Sequence, residues 1–139
     1  MLYKKISDTV VLRLEIGEEI ISSITGLCGE LGIKAGIIQG IGAVKEAKIG
    51  MFDFETGEYR DTQLCEFMEL ISLDGNITQK DEKPYLHLHA CFGRADGSAV
   101  GGHLREAVIG ATAEIFIRTL PETVERVYED ATGLNVLGI

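Results

Sequence analysis

All three histidines of the chain fall within 17 residues, in Pro84-Tyr85-Leu86-His87-Leu88-His89-Ala90-Cys91-Phe92 and Gly101-Gly102-His103-Leu104. Neutral imidazole nitrogens are common donors to transition metals, so the question this spacing poses is one of geometry. In a β-strand, residues i and i+2 leave the same face about 6.5–7 Å apart, which points His87 and His89 together. Leu86, Leu88, Ala90 and Phe92 then mark the opposite, core-facing side. Between the two histidine segments lies Arg94-Ala95-Asp96-Gly97-Ser98, which suits a three-residue hairpin loop with Gly97 left-handed. That register sets Arg94 opposite Ser98 and His89 opposite His103. A two- or four-residue loop would turn His103 to the other face, unless Gly101-Gly102 formed a bulge that restored it.

In the first register three imidazoles converge and leave a fourth position open, the ligand arrangement of a catalytic zinc site rather than a closed structural one. The expected metal ligands are therefore His87, His89 and His103, and the expected cofactor is a divalent transition metal, zinc first. Imidazole also suits nickel, iron and manganese. The competing reading is a partly buried polar face in which the three rings only form hydrogen bonds. Cys91 shares the face but sits two steps nearer the turn, where it reads as a small packing residue. Activating a metal-bound water or carbonyl moves protons, and Glu69 and Glu114, each in an apolar strand, are either the acid/base groups for that or plain outward-facing residues. Arg105, two residues beyond His103 and across from His87, either binds an anion or pairs with a surface acid. No catalytic residue is assigned.

The elements that must position these residues follow from periodicity. Val10, Leu12, Leu14 and Ile16 alternate with Arg13 and Glu15, a half-buried strand. After Gly17, residues Ile20, Ile21, Ile24, Leu27, Cys28 and Leu31 form the stripe of an amphipathic helix, with Glu18 and Glu19 in its first turn, where the helix dipole favours anions, and Gly32 as a left-handed cap. Gly26 and Gly29 inside it each cost about 1 kcal/mol against Ala, which suggests close packing on something flat. Gly40-Ile41-Gly42 hints at a dinucleotide fingerprint, but Lys45 stands where the third glycine belongs and no helix pattern follows. Strands are expected over 47–54, 59–64, 67–73 (closed by Asp74-Gly75), 85–93, 99–104 and 112–119, with a turn at Glu55-Thr56-Gly57-Glu58. The segment after Pro121 mixes strand and helical-turn signals. Most connections are too short for βαβ crossovers, so the expected fold is α+β: one domain over 1–139, a mainly antiparallel twisted sheet packed against one main helix.

Composition narrows the partners. With 13 basic and 22 acidic residues the formal net charge is −9, poorly suited to neutralising phosphates, so free nucleic acid is a disfavoured partner. Glycine, 17 of 139 residues against two prolines, signals tight turns and bulges rather than a flexible linker. Cys28, Cys65 and Cys91 are widely and irregularly spaced with no Cys-x-x-Cys pair, which argues against a disulfide framework or a zinc ribbon. The N-terminus lacks the apolar core of a signal peptide and no run approaches the length of a membrane span, so a cytoplasmic protein without a membrane partner is expected.

The chain resembles a stand-alone member of the plants-and-prokaryotes conserved (PPC) domain family. The resemblance rests on Gly40-Ile41-Gly42-Ala43, Glu69-Leu70-Ile71-Ser72-Leu73-Asp74-Gly75, Pro84-Tyr85-Leu86-His87-Leu88-His89, Gly101-Gly102-His103-Leu104, Thr112-Ala113-Glu114-Ile115 and Thr132-Gly133-Leu134, in that order. It implies a mainly antiparallel sheet with a packed helix, assembled as a homotrimer, and a DNA-binding label carried over from plant relatives. Those relatives bind AT-rich DNA through an Arg-Gly-Arg-Pro hook, and this sequence contains no Arg-Gly dipeptide. It also has Glu66-Phe67-Met68 where the plant proteins begin the block with Gly-Arg-Phe. The fold is similar to that of acetolactate decarboxylase, whose zinc is held by His-x-His and a later His, a pattern that His87, His89 and His103 match. What the resemblances imply is a homotrimeric module with a three-histidine metal site and a small carbonyl or carboxylate ligand at its open position. The alternatives are a transcription-associated DNA-binding protein and a metal-dependent enzyme.

Overall fold

A computed structural model describes residues 1–139. The elements in chain order are β1 (Leu2–Ile6), β2 (Thr9–Glu15), α1 (Ile20–Leu31), β3 (Gly36–Asp53), β4 (Glu58–Leu64), β5 (Met68–Lys80), β6 (Lys83–Gly93), β7 (Ala99–Thr119), β8 (Arg126–Glu129) and β9 (Leu134–Leu137). The main sheet runs β1-β2-β7-β6-β5-β3-β4 with every ladder antiparallel, as the short connections require. Because β7 also pairs with β3, the strands β3, β5, β6 and β7 close into a ring. No helix is long and apolar enough to cross a membrane.

The strands are longer than their alternation suggests. Residues 99–104 and 112–119 belong to one strand, β7; β3 begins at Gly36, well before residue 47; and β5 runs through Asp74-Gly75 instead of ending there. Gly75 explains the last difference. A Cβ on it would lie 2.0 Å from the His87 carbonyl oxygen, so this glycine serves a close approach of two strands, not a turn. Gly42 does the same between β3 and β7, where a Cβ would lie 2.4 Å from the Thr112 carbonyl oxygen beside a register shift. The C-terminal segment is a hairpin of β8 and β9, docked on the end of β5 by a bridge between Gln79 and Glu125.

Helix α1 packs on β6 and β7 and seals the core with Ile20, Ile24, Leu27 and Cys28, all buried. Burying such aliphatic side chains stabilises by about 1.5–3 kcal/mol each. Glu19 is the N-cap rather than a first-turn residue: its carboxylate accepts from Ile21 N at 2.9 Å and Ser22 N at 2.6 Å. It also accepts from Ala107 N at 3.2 Å, which ties the helix start to β7. Gly32 is left-handed (φ 65°), as its position implies. Gly26 and Gly29, however, face open space with nothing within 4 Å of an added Cβ, which corrects the expectation of close packing there. Val10, Leu12 and Leu14 of β2 are fully buried, whereas Ile16 lies past the strand end and is exposed.

Candidate metal centre

The hairpin of β6 and β7 sets the site. Arg94 N donates to Ser98 O at 2.8 Å, Gly97 N donates to Arg94 O at 2.9 Å, and Gly97 has φ 83°, the three-residue loop that its sequence favours. Asp96 fixes the loop by accepting from Ser98 N at 2.9 Å. The register places His89 opposite His103. His87 follows one same-face step along β6, while Leu88, Ala90 and Phe92 point into the core.

One potential ligand atom from each of His87, His89 and His103 lies within 4.8 Å of the others, and the ring centroids are 5.2, 5.3 and 5.5 Å apart. His87 Nε2 and His89 Nε2 are 3.3 Å apart. Two ligands of a tetrahedral ion with metal–nitrogen distances of about 2.0–2.1 Å are separated by about 3.3–3.4 Å, so this pair already has the spacing of a zinc edge. His103 Nδ1 is buried without a hydrogen-bond partner, a donor atom that a cation or a proton acceptor has yet to satisfy. Burial, and after it the neighbouring rings His87 and His89 and the charge of Arg105, push the His103 pKa down to about 4. His87 is also shifted down, by burial first and then by Arg126. Both rings are thus held neutral, the form that binds metal. The donor set fits a divalent transition-metal ion, which in an open three-histidine site supplies Lewis acidity.

Several neighbours escaped the sequence reading. Tyr59 of β4 stacks obliquely on His103, with centroids 5.1 Å apart. Arg126 of β8 reaches His87, its Nη2 lying 3.4 Å from His87 Nδ1, and is buried. It donates from Nε to Thr78 Oγ1 at 2.9 Å, from Nη1 to Asn135 O at 2.8 Å and from Nη2 to Asn76 Oδ1 at 2.9 Å. Nothing in the local sequence marks Arg126: on a strand Tyr128 shares its face, yet Tyr128 is exposed and Arg126 is buried.

The other candidate residues do not join the cluster. Glu69 and Glu114 are exposed and line a groove with Ile41 and Ile71, away from the three rings. Arg105 takes the surface-acid option: its Nε lies 3.7 Å from Asp61 Oδ1 and its guanidinium 5.0 Å over the Tyr59 ring. It does not stand across from His87, because the β6–β7 ladder ends at the His89–His103 pair. Cys91 pairs with Gly101 two steps toward the turn and is not part of the ligand set.

A ring of antiparallel strands carrying three convergent imidazoles on one hairpin defines a small β-rich protein class with a metal-type donor set. The chain belongs to the Plants and Prokaryotes Conserved domain family, whose sequence profile matches residues 1–121. It is 37% identical to a candidate DNA-binding protein of Bacteroides thetaiotaomicron, with TM-score 0.95 over 98% of this chain and 95% of that one. A metal-containing protein of Archaeoglobus fulgidus is also 37% identical, with TM-score 0.89 over 99% of this chain and 98% of that one. Acetolactate decarboxylase of Bacillus subtilis is similar in fold alone, at 12% identity and TM-score 0.60 over 84% of this chain and 54% of that one. No protein of curated function matches the sequence.

Proposed function

We propose that the protein is a homotrimeric metal-binding module, one domain over 1–139, in which His87, His89 and His103 hold a divalent transition metal, zinc first, and leave one position open to a small ligand. The observation that carries this reading is the 3.3 Å separation of His87 Nε2 and His89 Nε2, beside the unpartnered His103 Nδ1. The Archaeoglobus relative is a metal-containing protein, which supports a metal without naming it. Assembly is supported by the outer face where β3, β5 and β7 meet. Ile41, Ile71 and Phe116 are all more than half exposed there, a cluster that a monomer gains by covering. The test is elemental analysis of protein purified without an affinity tag, with mass measured by light scattering. One transition-metal ion per chain, lost in His103→Ala, supports the reading; no metal taken up by the wild type under any condition ends it.

A second reading, DNA binding, is favoured by the Bacteroides relative, a candidate DNA-binding protein. The net charge of −9 opposes it, since sequence-independent affinity comes from cations that neutralise phosphates. A salt titration on AT-rich duplex decides: a flat response near physiological ionic strength removes direct binding.

A further inference from the structure

Beside the histidines lies a small cavity of about 50 Å³ walled by His87, His103, Arg126 and Asn135, with Leu134 and the rings of Tyr59 and Tyr85. Arg126 is the feature of it that needs an explanation. The residue is only 9% exposed, and none of the ion pairs in the structure includes it. Its three hydrogen bonds go to the neutral acceptors Thr78 Oγ1, Asn135 O and Asn76 Oδ1, and its guanidinium lies 4.8 Å over the Tyr85 ring. The chain has an excess of acids, yet the nearby ones are placed elsewhere. Asp61 is held by Lys48 at 2.9 Å and faces Arg105, and Asp74 is exposed opposite His89, two pairs along the ladder from Asn76 and His87. A buried guanidinium whose charge no carboxylate balances is expensive to keep.

The contact with His87 sharpens the point. Arg126 Nη2 can only donate, and at 3.4 Å from His87 Nδ1 it faces a ring nitrogen that accepts only while it carries no proton. A neutral imidazole that gives its Nε2 lone pair to a metal carries its proton on Nδ1. Metal loading through Nε2 therefore leaves two donors, Arg126 Nη2 and His87 Nδ1, facing one another with no acceptor between them. Asn135 adds another unsatisfied polar atom to the cavity wall, since its Oδ1 is buried without a partner and the amide can present either end.

We propose that this cavity is a carboxylate subsite: Arg126 and the Nδ1–H of His87 together bind the carboxylate of a small organic acid whose remaining atoms lie over the open metal position. This rests on the metal reading above, narrows the ligand from a carbonyl or carboxylate compound to a carboxylate, and places the group that holds it. The cavity holds a planar carboxylate group and not a whole metabolite, and a guanidinium edge matches that group's geometry. Metal and carboxylate then assist one another, because each supplies what the other leaves unbalanced, and the assistance is reciprocal.

The test uses acetate as the probe and acetamide as its neutral isostere, at constant ionic strength made up with chloride, on full-length protein whose zinc content is measured separately. In zinc-loaded wild type carrying ¹⁵N-arginine, acetate shifts the Arg126 Nε–H resonance to saturation and acetamide does not. Arg126→Gln weakens acetate binding at least about tenfold while zinc content stays the same. Acetate likewise tightens zinc binding in wild type and not in the variant. An unmoved Arg126 resonance overturns the proposal without recourse to any variant, and so does an Arg126→Gln protein that holds zinc and binds acetate as wild type does. A wild type that takes up no zinc yet shows the Arg126 shift overturns the metal reading and supports the subsite.

Discussion

Gly75→Ala is the substitution that most directly couples the fold to the site. A Cβ at residue 75 would sit 2.0 Å from the His87 carbonyl oxygen, 2.9 Å from its carbonyl carbon and 2.8 Å from Leu88 Cδ2. Ordinary contact begins near 3.4 Å, so the β6 backbone at His87 must retreat by about 1.4 Å, the difference between 3.4 and 2.0 Å. Overpacking of a well-packed interior costs about 1–3 kcal/mol, and since the obstacle is main chain paired into a ladder, the upper value of about 3 kcal/mol applies. At about 2.1 cal/mol/K of unfolding entropy per residue, 139 residues convert that to a fall in Tm of about 10 °C. The same retreat carries His87 away from His89, so zinc affinity falls at least about tenfold, on the scale of losses from disturbed ligand positioning. Differential scanning calorimetry of metal-free protein and a competitive chelator titration read the two effects. Gly26→Ala is the control of opposite sign. It adds a methyl to an exposed helix position with nothing within 4 Å, and it should raise Tm by about 3 °C, from about 1 kcal/mol of helix propensity. A Gly75→Ala protein that melts within about 2 °C of wild type and binds zinc normally would refute the close-approach account of this glycine.

Metal-free protein should lose stability as pH falls from 6.5 toward 4. His103 is pushed down to about 4 when folded against 6.5 as its ordinary value, so in that window the unfolded chain binds the extra proton and acid favours unfolding. The stability is fully present above pH 6.5, and a His103→Gln variant should show a visibly flatter Tm–pH curve across the window, whereas parallel curves would contradict it. Among the thiols, burial pushes Cys28 up to about 11, while Cys65 is exposed. Ellman titration of native protein should therefore modify Cys65 and reach Cys28 only on denaturation; rapid labelling of Cys28, located by peptide mapping, would count against the packed helix face.

The register of the histidine hairpin was legible because a loop of Ala95-Asp96-Gly97 leaves few ways to join two strands, and register fixes which face each imidazole takes. The amphipathic helix was legible for the same kind of reason, since its stripe and its left-handed Gly32 are local signals. What local pattern misread were interior glycines. Gly75 and Gly42 look like punctuation in one dimension, and only the neighbouring strand shows that they are there to let backbones meet. Strand β1 carried no signal, as all five of its residues are exposed and lack alternation. Arg126 was hidden for a different reason. Its role depends on a hairpin from the C-terminal segment docking beside β5, a contact almost fifty residues away from Thr78 and Asn76 in sequence. The two glutamates offered as acid/base partners show the converse: both lie in strands, as expected, but well along them from the histidines, Glu69 pairing with Gly93 rather than with His89 and Glu114 lying on β7 eleven residues beyond His103.

Three imidazoles that share one metal ion are the core of the proposed function. A crystal of tag-free protein loaded with one equivalent of zinc, with diffraction data collected on both sides of the zinc absorption edge, tests it in a single map. One anomalous peak per chain is expected, about 2.0–2.1 Å from a ring nitrogen of each of His87, His89 and His103, with a fourth position held by water or a small ligand. A map with no peak at these rings, or with zinc held elsewhere on the chain, would contradict it.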